Sequence, residues 1–122
     1  MQRAARFLFV VCIPLLSASA QAPPNDGPTN EKAQKTFKEA RDLLSQHKEE
    51  WALDSFKKAD KQDDGRCVAC QKQMVRLGVK YGDWKAAELA ADEGVAEAKN
   101  SRETALAHFQ MAQVWNAEAQ QK

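Results

Sequence analysis

The chain has 122 residues, enough for one small domain, and its 18 Lys and Arg stand against 17 Asp and Glu, a net charge of +1. So even a balance supplies no broad basic field, and charge-driven binding to nucleic acid is not expected. Ala, Lys, Glu and Gln are plentiful while Gly and Pro are few, a mixture that favours helix because Ala and straight-chain residues lose little side-chain freedom there.

The first twenty residues differ in kind from the rest. Arg3 and Arg6 precede an apolar run over residues 7–16, followed by Ser17, Ala18, Ser19 and Ala20. This order predicts a secretory signal peptide over residues 1–20, with Ala18-Ser19-Ala20 as the small-x-small site and cleavage between Ala20 and Gln21. The run is about half as long as the ~20 residues a membrane-spanning helix needs, and Pro14 interrupts its end. A periplasmic or secreted chain is therefore expected. Cys12 lies within the run without the small-residue context of a lipidated cysteine. Removal of Arg3 and Arg6 takes the balance to about −1. Residues 21–30 hold Pro23, Pro24, Gly27 and Pro28 among polar neighbours and read as a flexible linker.

From Glu31 onward there is no proline, and apolar residues three and four apart predict helices joined by short turns. Thr29 or Asn30 caps a first helix with Phe37, Ala40, Leu43 and Leu44 on one face. After a turn near Lys48, Trp51, Ala52, Phe56 and Ala59 form a second face, ended by Asp63-Asp64-Gly65. A third helix over about residues 67–80 presents Cys70, Met74, Val75 and Leu77. Gly82 suits positive φ and Asp83 suits a cap, opening a fourth helix with Trp84, Ala87, Leu89, Ala90, Ala91 and Val95. Asn100-Ser101 then starts a fifth, carrying Ala105, Leu106, Phe109, Ala112, Val114 and Trp115. Trp51, Trp84 and Trp115 are expected to pack inside, the default for large rings. No segment alternates like a strand, so the class is all-α.

Sliding the chain by about 35 residues places Ala52 on Ala87, Arg41 on Arg76, Leu44 on Val79 and Ala59 on Gly94. Such a period is the mark of stacked helix pairs. With Glu49-Glu50-Trp51-Ala52 opening one second helix and Gly82-Asp83-Trp84-Lys85-Ala86-Ala87 the next, the sequence resembles the tetratricopeptide repeat family over residues 31–120. It departs from the pattern where Asp64 replaces the usual proline near the repeat end, and where Ala91 matches Phe56. The resemblance implies an α-solenoid of two helix-turn-helix repeats plus a terminal, capping or incomplete-repeat helix. It also implies an adaptor or scaffold that binds a protein or peptide segment on its concave surface, where the first helix of each pair lies.

Two constellations stand out. Lys72, Arg76 and Lys80 recur every fourth residue and so form one stripe on the third helix; with Arg41, matched to Arg76 by the repeat, they are the candidate partner-binding residues, suited to gripping a carboxylate. A plain solvated face is the alternative. Cys67-Val68-Ala69-Cys70 is the second. In an exported protein the pair is expected to be oxidised, as a local disulfide bracing the third helix; buried idle thiols and redox exchange with a partner remain open. The redox alternative would make the chain an accessory protein, possible front part of a thioredoxin-like fusion. No βαβ context accompanies the motif, Gln71 stands where haem attachment needs His, and His47 and His108 are too scattered to complete a zinc site. Adjacent acids such as Glu49-Glu50, Asp63-Asp64 and Asp92-Glu93 read as solvated charges. No enzyme signature, cofactor, metal or small-molecule substrate is expected, and the terminal helix offers a surface for self-association.

Overall fold

A computed structural model describes residues 26–122; the expected signal peptide, its expected cleavage site between Ala20 and Gln21, and most of the expected linker lie outside the described residues. Five helices follow one another among them, with no strand: α1 (Glu31–Ser45), α2 (Glu49–Gln62), α3 (Val68–Tyr81), α4 (Trp84–Glu97) and α5 (Ser101–Gln121). The all-α class is thus observed.

Local chemistry sets most of the helix ends. The Asn30 side chain accepts from the Lys32 and Ala33 N–H groups and starts α1. Gly82, at φ 74°, ends α3 in the left-handed conformation that glycine adopts without penalty. Asp83 accepts from the Ala86 N–H at 3.1 Å and so caps α4; Asn100 accepts from the Glu103 N–H at 3.0 Å and caps α5. At the start of α3 the cap is a sulfur, Cys67 Sγ, which accepts from the Cys70 N–H at 3.2 Å.

Each helix packs against the next, and α3 also meets α5. The core is built from small residues at close approaches, Ala40, Ala52, Ala59, Ala87 and Ala91, around the larger Leu53, Phe56, Met74, Leu77 and Val114. Phe37 meets Phe56 edge-on, with ring centroids 5.7 Å apart. Gly78 lets α3 and α4 nearly touch: a Cβ there would stand 2.9 Å from the Asp83 carbonyl and 3.1 Å from the Ala87 nitrogen. Outside the core, Lys57 of α2 donates to Asp83 at 2.9 Å and ties α2 to the start of α4.

Several expected faces turn out differently. Trp51 and Trp115 are exposed, at 62% and 58%, and only Trp84 packs against the core. In α5 the buried stripe is Ala107, Met111 and Val114, spaced i, i+4, i+7; at 100° per residue, Leu106, Phe109 and Trp115 fall on other sides and face solvent. Leu89 of α4 is likewise half exposed. Asp63 reverses the expectation for its type and is buried at 1%. Its Oδ1 accepts from the Thr29 N–H at 3.0 Å, the Thr29 hydroxyl at 3.0 Å and the Asn30 N–H at 2.9 Å. The described end of the linker is thereby tied to the α2–α3 turn. Asp26 adds to this tie, its carbonyl accepting from the Ala69 N–H at 2.8 Å.

Candidate functional site

Helices α3 and α5 leave a groove of about 530 Å³ between them. From α3 it takes Lys72, Val75, Arg76 and Val79, which at i, i+3, i+4 and i+7 form a single helix face. From α5 it takes a row of side-chain amides, Gln110, Gln113 and Asn116, with Ala117 beside them. Apolar contact is available along Val75, Val79 and Ala117, cations lie on one wall, and amides that both donate and accept lie on the other. A wider hollow of about 700 Å³ adjoins it, between residues 26–29, the beginning of α3 and the α4–α5 corner; Lys72 and Gln110 line both.

The cation stripe is divided by this geometry. Lys72 and Arg76 line the groove, whereas Lys80 and Arg41 do not. Lys72 donates to Asp26 at 2.7 Å, yet its side chain stays half exposed. Arg76 directs Nε and Nη2 to the Gln73 Oε1, at 3.0 and 2.9 Å, and its Nη1 lies 4.0 Å from Glu49. Lys80 is engaged by Glu49, which also accepts from the Tyr81 hydroxyl at 2.8 Å. Hydrogen bonds from Lys80 and then Tyr81 hold the Glu49 carboxyl below its ordinary range. Arg41 is exposed on α1. Sequence spacing pointed to the α3 wall; the amide row of α5 was missed, although Gln110, Gln113 and Asn116 recur every third residue.

Cys67 and Cys70 are joined as a disulfide, with Sγ–Sγ 2.08 Å. Both residues are completely buried, so in this conformation the bridge is closed to an attacking thiolate. Asp60 lies against it, and Glu93 lies against Gly65 in the α2–α3 turn. The Asp60 Oδ1 accepts from the Cys67 N–H at 3.2 Å and from the Gln71 Nε2 at 3.4 Å. Burial pushes the Asp60 carboxyl up, and burial together with Asp60 pushes the Glu93 carboxyl up to about 8.

Among the described residues no group of three or more His, Cys, Asp or Glu is arranged to hold a metal ion, and no helix is long and apolar enough to cross a membrane. No family model matches the chain, and no characterised protein or solved structure shows significant similarity to it.

Proposed function

We propose that the chain is an exported protein-binding module of tetratricopeptide type, an α-solenoid of two helix pairs with α5 as its terminal helix, which holds a partner segment in the α3–α5 groove. The groove carries this reading, because it combines an apolar floor, two cations and a row of amides along two helices. An extended segment satisfies its own backbone on such amides while a carboxylate meets Arg76 or Lys72. The repeat reading draws support from burial. The buried Ala52 and Phe56 of α2 fall, 35 positions on, on the buried Ala87 and Ala91 of α4. The signal-like order of residues 1–20 supports a partner outside the cytoplasm.

Photo-crosslinking in a periplasmic extract tests this. A crosslinker at Gln113 should capture a defined partner, and one at the exposed Trp51 should not. Adding Arg76→Ala should weaken capture about tenfold or more, the worth of one charged hydrogen bond, while Arg41→Ala should leave it unchanged. Capture from Trp51 alone would overturn the groove as the site. Loss of capture on Cys67→Ser with Cys70→Ser, together with full capture by Arg76→Ala, would replace binding by redox exchange.

A further inference from the structure

Residues 26–30 precede α1 and lie against the start of α3. The first turn of a helix leaves its amides without partners inside the helix, and two consecutive ones are satisfied here from different sources. The Ala69 N–H donates to the Asp26 carbonyl at 2.8 Å, and the Cys70 N–H to the Cys67 Sγ at 3.2 Å. The cap of α3 is therefore composite, half supplied by the bridged cysteine and half by the N-terminal segment. That segment is held at both ends. Lys72 pairs with the Asp26 carboxylate at 2.7 Å. At the other end the Asp63 carboxylate takes the Thr29 N–H, the Thr29 hydroxyl and the Asn30 N–H. Between these ties Pro28 is buried, and its carbonyl accepts from the Gln34 Nε2 at 3.2 Å.

Neither Cys67 nor Cys70 has any exposed surface, so a reductant reaches their sulfurs only after some neighbouring segment moves. The other groups bonded to this turn, Asp60 and Gln71, belong to the packed helices α2 and α3. Residues 26–30 belong to no helix, and Thr29, Asn30 and the Lys72 side chain that hold them are exposed. Such a segment opens at the least cost. We propose that residues 26–30 are a strap that guards the Cys67–Cys70 bridge, and that a dithiol reaches sulfur only when this strap lifts from α3. The chemistry is thiol–disulfide exchange. One thiolate of the dithiol attacks an Sγ and forms a mixed disulfide; its second sulfur then closes on the first and leaves as a cyclic disulfide. Two electrons and two protons pass to Cys67 and Cys70, which become thiols. The strap needs no assumption about what the α3–α5 groove binds.

Reduction of the folded full chain by excess dithiothreitol, with the freed thiols trapped by iodoacetamide, reads the strap directly. Thr29→Ala removes the hydroxyl bond to Asp63, and Lys72→Ala removes the ion pair to Asp26. Both side chains are exposed, so the double variant keeps the fold. It should be reduced about fivefold faster than the native chain, the worth of one neutral hydrogen bond. Loss of a cation beside the bridge disfavours an approaching thiolate, so electrostatics alone would slow the reaction. Val114→Ala weakens the core in α5 but removes none of the strap's bonds, and should leave the rate unchanged. A second reading is the exchange of the Ala69 amide, a first-turn position that is protected only by the Asp26 carbonyl. That amide should be protected in the native chain and should exchange faster in the double variant. A native reduction rate in the double variant, an equal acceleration by Val114→Ala, or an unprotected Ala69 amide in the native chain would each overturn the strap.

Discussion

Gly78 lies at a close approach of α3 and α4, and its nearest neighbours there are two backbone atoms and the Ala87 Cβ, none of which can swing away. Gly78→Ala should therefore cost about 2 kcal/mol through overpacking. Gly94, also inside a helix, has only the Ala107 methyl at 3.9 Å from a new Cβ, so Gly94→Ala should gain about 0.5–1 kcal/mol from reduced backbone freedom. Urea denaturation of the two variants compares them directly, and equal effects would mean that the α3–α4 approach is not tight. Residues whose role is local were legible from sequence: Asn30, Asp83 and Asn100 act on N–H groups two or three positions away, and Gly82 through its own positive φ. Asp60, Asp63 and Glu93 were not, because their burial depends on other helices. An adjacent pair of acids looks the same in sequence whether solvent or a neighbouring helix covers it.

At the scale of elements, α3 shows how a short motif shapes a helix. The bridge closes only the four residues from Cys67 to Cys70, and chain entropy for so small a loop amounts to about 2 kcal/mol. Denaturation with and without a reducing agent should differ by about that amount, with the first turn of α3 losing amide protection first; coincident curves would refute a bracing role. The helices themselves were readable because a proline-free, Ala-rich body with good caps permits little else, and their observed ends lie within a few residues of the expected ones. Which face each helix buries was less legible. In α5 apolar residues occur all round, so periodicity alone does not choose between the Ala107–Met111–Val114 stripe and the side bearing Phe109. The packing of α4 makes that choice. The groove was half legible for the same reason: the cations of α3 announce themselves, whereas polar amides on α5 gain meaning only when α3 stands opposite.

Over the whole molecule, α5 is the least anchored element. It is the longest helix, yet only Ala107 and Val114 are fully buried on it, and it rests on α4 with a lesser contact to α3. Leu106 and Phe109, at 55% and 60% exposure, lie on a side that no described element covers. If the molecule acts as a single chain, that side contributes little to its stability. Phe109→Ala should then shift the unfolding free energy by less than about 0.5 kcal/mol, as for surface positions in general. Val114→Ala, at 0% exposure, should cost about 2 kcal/mol by opening a cavity between α4 and α5. Light scattering and denaturation as a function of protein concentration complete the test. Were Phe109→Ala to destabilise the chain only at high concentration, and to lower its mass in solution, a second copy would be covering this side. The α3–α5 groove would then lie at the margin of an assembly, with α5 supplying one wall to the groove and the other side to the contact.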